Sequence, residues 1–120
     1  MEDLDIGVVQ SKDLASITLT GEFDMAAEDR VRKAFEQVES TSPLVLLIDL
    51  RGLTFVDSTG LRLLLAAQLR AEDAGRLVGL LRPPDRVHKV FCVAGLHERL
   101  SFVSECDLAP GASPPDRPDG

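Results

Sequence analysis

Five consecutive residues, Asp57-Ser58-Thr59-Gly60-Leu61, hold the side chains best suited to chemistry in this 120-residue chain. They follow strongly apolar, strand-like stretches at residues 44–50 and 53–56 and open a Leu- and Ala-rich stretch with helical spacing. Where a strand hands over to a helix, the first-turn amides lack intrahelical partners and the helix dipole is positive, so a phosphate is readily accommodated. Ser58 is therefore a candidate for phosphorylation. A second role is open to it, because Ser at a helix start is also an ordinary N-cap worth about 0.5–2 kcal/mol. Asp57 competes for that capping role, and Gly60 suits either a tight turn or close packing.

Other reactive residues are less organised. His88 and Cys92 lie four apart, with His97 and Cys106 further on, but no paired-ligand spacing accompanies them. Both cysteines read as free, partly buried thiols. There is no Ser/His/Asp set with workable spacing, no Gly-rich phosphate loop and no HExxH. No intrinsic catalysis, no metal and no cofactor is expected.

The elements that must position Ser58 follow from periodicity. Residues 6–10 and 14–20 read as two strands joined at Ser11-Lys12-Asp13, an antiparallel N-terminal hairpin. Gly21-Glu22-Phe23-Asp24 closes the second strand, with Asp24 as N-cap of a helix over 25–40. Along that helix Val31, Phe35 and Val38 form the packed side, and Glu28 and Arg32 an i, i+4 ion pair on another. Ser42-Pro43 stops it. The unbroken apolar run at 44–48 then predicts a central strand buried on both faces, and so helices on both sides of the sheet.

The next helix is predicted over 58–73, with Leu61, Leu64, Leu65 and Leu69 on its buried face, widened by Leu63, Ala66 and Ala67. A short strand at 77–81 follows, then a third helix begun by Pro83-Pro84-Asp85, packed through Val87, Val90, Phe91 and Ala94 and stopped by Gly95. A last short strand is predicted at 100–103. From Ala109 the composition shifts to four Pro in twelve residues with little to bury, which predicts a disordered tail. The expected division is one domain over 1–108 and a tail over 109–120. The fold class is an α/β sandwich, with a mixed sheet that joins the hairpin to parallel crossover strands, packed by three to four helices.

Composition narrows the function. With 44% hydrophobic and 28% charged residues the chain is an ordinary globular one, and its apolar runs are too short to span a bilayer. The acidic start, Met1-Glu2-Asp3-Leu4-Asp5, lacks the basic and apolar regions of a signal peptide, which predicts a cytoplasmic protein. A net charge of −7 disfavours direct binding to nucleic acid or anionic membrane.

Taken together, Gly21-Glu22-Phe23-Asp24 after the second strand, Asp57-Ser58-Thr59-Gly60-Leu61 after the third, and Val87-His88-Lys89-Val90-Phe91-Cys92-Val93-Ala94-Gly95-Leu96 before the last resemble the STAS domain of bacterial anti-sigma factor antagonists. The resemblance spans roughly residues 4 to 105. It implies a partner switch: the unphosphorylated antagonist binds an anti-sigma factor that is also a serine kinase, which frees the sigma factor. The kinase then phosphorylates the Ser that maps to Ser58, and a PP2C-type phosphatase resets it. The expected partner-binding surface comprises Gly21, Glu22, Asp24, Phe55, Asp57, Ser58, Thr59, Gly60, Leu61 and Arg62.

Several of these residues have plainer readings. Gly21 and Asp24 serve equally as turn and cap, and Leu53 and Phe55 are either core or partner contacts. Arg62 departs from the small residue many relatives carry there, and is either a docking determinant or a solvated surface Arg. A free monomer is expected. The competing function is a STAS scaffold never phosphorylated, either a ligand or nucleotide sensor or an accessory subunit of a transporter or stressosome-like assembly. A small hydrolase or metal enzyme lacks the groups it would need.

Overall fold

The computed structural model describes residues 3–103. Strands β1 (Leu4–Gln10) and β2 (Leu14–Phe23) form the hairpin, and a 3-10 turn (Met25–Ala27) leads into helix α1 (Glu28–Glu39). Then follow β3 (Val45–Val56), α2 (Ser58–Asp73), β4 (Leu77–Leu81), α3 (Asp85–Val93) and β5 (Phe102–Val103). The five strands lie in the order β1-β2-β3-β4-β5, with β1 antiparallel to β2 and every later pair parallel. The mixed α/β architecture is thus the one expected.

The helices cover one face of the sheet. Successive parallel strands always step in the same direction, so right-handed crossovers put every connecting helix on the same side. One core joins Ala15, Ile17 and Leu19 of β2, Leu46, Ile48 and Leu50 of β3 and Leu80 of β4 to Val31, Phe35 and Val38 of α1, Leu64 and Ala67 of α2, and Val87 and Phe91 of α3. Among the described residues this corrects the expectation of helices on both faces. In β3 the residues alternate, with Leu46, Ile48 and Leu50 buried and Val45, Leu47 and Asp49 half-buried. A central strand has neighbours on both sides that shield its outward side chains, so its apolar run needs no second helical layer. At the strand starts the outer face is open: Leu14, Val45 and Leu77 stand in register, with Leu77 70% exposed.

Helix α2 spans the predicted residues, and its inward stripe is in part the predicted one, Leu64 and Ala67 being buried. Gly60, Leu64, Ala67 and Ala71 are buried, Leu61, Leu63 and Leu65 are half-buried, and Leu69 is exposed. Gly60, Ala67 and Ala71 share this buried stripe with Leu64 and Gln68, and Leu61, Leu63 and Leu65 flank it. Helix α3 is corrected likewise: Val87 and Phe91 are buried, whereas Val90 and Ala94 face outward. Helix α1 begins only at Glu28, because Asp24 caps the short 3-10 turn instead, accepting from the Ala26 amide at 3.0 Å.

Strand β2 runs three residues past the predicted end at Thr20, through Gly21 and Glu22 to Phe23. Its register with β3 shifts at Gly21/Glu22, and Gly21 has φ +109°, with the Asp3 carbonyl where a Cβ would stand. Gly21 is therefore a strand irregularity and not the end of the strand, a conformation open to glycine alone at low cost. The expected tail over 109–120, the end of the domain and Cys106 lie outside the described residues.

Candidate functional site

Strands β2 and β3 end side by side, with Phe23 opposite Val56 and the Asp57 amide donating to the Phe23 carbonyl at 3.2 Å. This pairing puts the Asp24 turn and the start of α2 at the same end of the sheet, as the sequence motifs require.

Asp57 is the N-cap of α2. Its Oδ1 accepts from the amides of Thr59 at 2.9 Å and Gly60 at 3.1 Å. Capping of this kind satisfies two of the four orphan amides of a helix start. The Ser58 hydroxyl is consequently excluded from capping: the residue is exposed, and among the described residues its side chain makes no hydrogen bond. Thr59 is half-buried and Gly60 buried. A Cβ on Gly60 would lie 2.7 Å from Val56 Cγ2 and 3.0 Å from Phe23 Cγ, so close packing and not turn geometry explains this glycine.

Around Ser58 the surface is mixed. Phe55, paired in register with the half-buried Glu22, is 47% exposed, whereas Leu53 is fully buried. Strand alternation would set them on one face; only Leu53 meets the core. Arg62, one turn beyond Ser58, reaches Glu28 of α1 at 3.4 Å, and Glu28 also holds Arg32 at 3.0 Å. Arg62 is therefore more than a solvated Arg, since it ties α2 to α1 across the site. Leu61 packs against the edge of the core. Sequence reasoning passed over Met25, which is 72% exposed one residue past Asp24. An apolar residue directly after a capping Asp was the available signal.

The His88 and Cys92 pair lies elsewhere. Cys92 Sγ is 3.5 Å from His88 Nδ1, and the His88 ring meets Phe102 edge-on at 5.1 Å. Burial, with the nearby Arg82 charge second, holds the His88 pKa below its ordinary value. Among the described residues no group of three or more His, Cys, Asp or Glu is placed to hold a metal. No helix among the described residues is long and apolar enough to cross a membrane.

Comparison with known proteins agrees with this geometry. A family model described as "Mlab, STAS domain" matches residues 6–104. A STAS-domain containing protein of Pseudomonas aeruginosa (strain UCBPP-PA14) is 30% identical over 89 residues, which cover 74% of this chain and 86% of that protein. The anti-sigma-B factor antagonist of Listeria monocytogenes is 29% identical over 90 residues, covering 75% and 79%. The anti-sigma factor antagonist SpoIIAA in its unphosphorylated form aligns with a TM-score of 0.68 and 25% identity, over 90% of this chain and 92% of that one. SpoIIAA, the Bacillus cell fate determinant, aligns in its phosphorylated form with a TM-score of 0.66 and 23% identity, over 87% and 96%. Strand order, the paired loops around Ser58 and these matches agree that the chain belongs to the STAS-domain family and that, within it, it is similar to the anti-sigma factor antagonists.

Proposed function

We propose that this protein is an anti-sigma factor antagonist that binds an anti-sigma serine kinase, thereby frees a sigma factor, and is switched off by phosphorylation of Ser58. A PP2C-type phosphatase resets it. The protein acts in the cytoplasm as a free monomer and as substrate and partner, not as a catalyst, and it touches no nucleic acid itself. The observation that carries this reading is the division of labour at the start of α2: Asp57 caps the helix, which leaves the exposed Ser58 hydroxyl with no structural duty.

A phosphate on Ser58 adds about −1.5 to −2 charges, and the adjacent helix terminus stabilises them, so the fold tolerates the modification. Beneath a bound partner the same charge is costly. Burying it without a cation costs on the order of 3–5 kcal/mol, a loss of hundreds- to thousands-fold in affinity. Asp24 and Asp57 add negative potential at the same sheet end. The contact surface is formed by Glu22, Asp24 and Phe55 together with the α2 start from Asp57 to Arg62, and Gly21 sets the course of the chain beneath it.

The test is incubation with ATP and the candidate anti-sigma kinases of the same cell, with mass spectrometry to locate the phosphate. Ser58→Ala is expected to bind the kinase constitutively and Ser58→Glu to fold yet bind weakly. Phosphate at Thr59 only, or on no residue with any cognate kinase, would replace this reading with that of an unphosphorylated scaffold or accessory subunit.

A further inference from the structure

Helix α3 carries more apolar surface than the sheet uses. Val87 and Phe91 complete the core, but Val93 is 84% exposed and Val90 is 38% exposed on the side toward the start of α2. Valine is a mediocre helix former, so propensity gives no reason for either at a solvated position. With Leu61 and Ala94 these residues line an open groove of about 390 Å³, its walls almost wholly apolar.

The rim is the second observation. Arg86 and Lys89 border the groove, and neither has an ion pair among the described residues. Elsewhere Arg32, Arg62, Arg70, Arg82 and Arg99 are paired with carboxylates, and other cations likewise without an ion pair among the described residues, Lys12, Arg30 and Lys33, do not line this groove. On a chain of net charge −7, a groove whose two charged lining residues are both cations is a local reversal of the molecule's charge.

We infer that the groove between α3 and the start of α2 is a docking site for an amphipathic helix of a partner protein, with apolar anchors along one stripe and acidic residues on its flanks. Apolar anchors at i, i+3 or i+4 and i+7 fill such a groove from a single helix face. Flanking carboxylates then meet Arg86 and Lys89, and a basic helix is repelled. The site adjoins Ser58 and shares Leu61 with the contact surface proposed above, but it works without phosphorylation of Ser58. Where Ser58 is phosphorylated, in the reading proposed above, the phosphate stands at the groove mouth. Ser58 and Leu61 are three apart on α2, roughly 5–6 Å between Cβ atoms, so the phosphate repels the same acidic flanks.

The test uses the full unphosphorylated chain, labelled with 15N, and a fluorescein-labelled peptide of about 18 residues, five helical turns, with Leu at i, i+3, i+4 and i+7 spacing and Glu and Ala elsewhere. A matched peptide with Lys for Glu is the control. The Glu peptide is expected to shift the amides of Leu61, Lys89, Val90 and Val93 and to bind at least about tenfold more tightly than the Lys peptide. Val93→Glu, at a position too exposed to disturb the fold, should weaken it by about tenfold or more, with an unchanged circular dichroism spectrum. The double variant Arg86→Glu, Lys89→Glu should reverse the preference between the peptides.

Equal binding of the two peptides, shifts confined to the open sheet face, or indifference to Val93→Glu would overturn the inference. Self-association lost in Val93→Glu would identify a second copy as the occupant and overturn it too. So would groove signals that change when residues 104–120 are deleted from the free chain, which would make the chain's own end the occupant. None of these outcomes depends on a kinase, so the proposed switch at Ser58 stands or falls separately.

Discussion

One oxygen of Asp57 holds two amides of the first turn of α2, those of Thr59 and Gly60, at 2.9 and 3.1 Å. Ser58, between Asp57 and those donors in sequence, is thereby left with its hydroxyl toward solvent. Neighbouring residues that compete for one capping role in the sequence have been given different work by the backbone conformation: Asp57 is extended, as an N-cap must be, while Ser58 is already helical.

Asp57→Ala should therefore cost about 0.5–2 kcal/mol of stability, and Ser58→Ala should stay within about 0.5 kcal/mol of the parent. Urea unfolding of the two variants decides this. A larger loss for Ser58→Ala would return the capping role to Ser58.

Gly60→Ala should destabilise the protein although alanine is the better helix former by about 1 kcal/mol. The new methyl would press on Val56 and on the Phe23 ring, both deep in the core, and overpacking of this kind costs about 1–3 kcal/mol. The denaturation midpoint should fall. A rise would mean that the strand ends yield and that helix propensity governs this position.

Leu53 and Phe55 should behave oppositely. Leu53→Ala removes a fully buried side chain and should cost about 2–5 kcal/mol. Phe55→Ala, at a position 47% exposed, should cost far less and instead weaken capture of the anti-sigma kinase in a pull-down or calorimetric titration. A folded Phe55→Ala variant with parental affinity would remove Phe55 from the contact surface.

Acid should loosen the junction between α2 and the chain entering β5. The Arg99 guanidinium and then the Gln68 amide hold the Glu72 carboxyl well below its ordinary value, at about 2. Gln68, itself buried, also donates to Ser101 Oγ and accepts from the Ser101 amide. A lowered folded-state pKa stabilises fully above the unfolded value near 4.5 and is lost as pH falls through about 2. The thermal midpoints of the parent and Glu72→Gln should thus differ at pH 6 and converge toward pH 2. Because Glu72 is 45% exposed, added salt should shrink the difference. A constant gap across that range would show that Glu72 acts through packing alone.

Much of the fold was legible along the chain. Local periodicity located the hairpin, the span of α2, the buried stripe of α1 and the Glu28 to Arg32 pair, because each depends on residues within a turn or two of one another. Readings that depended on distant partners went differently. The apolar run of β3 was read as double burial, whereas the consistent direction of the crossovers leaves one sheet face without helices among the described residues. The inward stripe of α2 was placed on its leucines, widened by Leu63, Ala66 and Ala67; Leu64 and Ala67 are buried, but Gly60, Gln68 and Ala71 complete the stripe and Leu69 is exposed. Helix α3 was assigned a packed face of Val87, Val90, Phe91 and Ala94, of which Val90 and Ala94 face outward.

By itself the sequence determined where Ser58 would stand, at the hand-over from a strand to a helix, since strand and helix signals and turn residues are local. Tertiary structure alone decided which of Asp57 and Ser58 caps α2, that the Asp24 turn lies beside Ser58, that Phe55 is exposed while Leu53 is buried, and that Arg62 bridges to Glu28. The cap follows from the extended backbone of Asp57, whose amide is held by the Phe23 carbonyl; the other three depend on the register of β2 against β3 and on the approach of α1 to α2. Chain segments 30 or more residues apart set both, and no spacing within a single element records them.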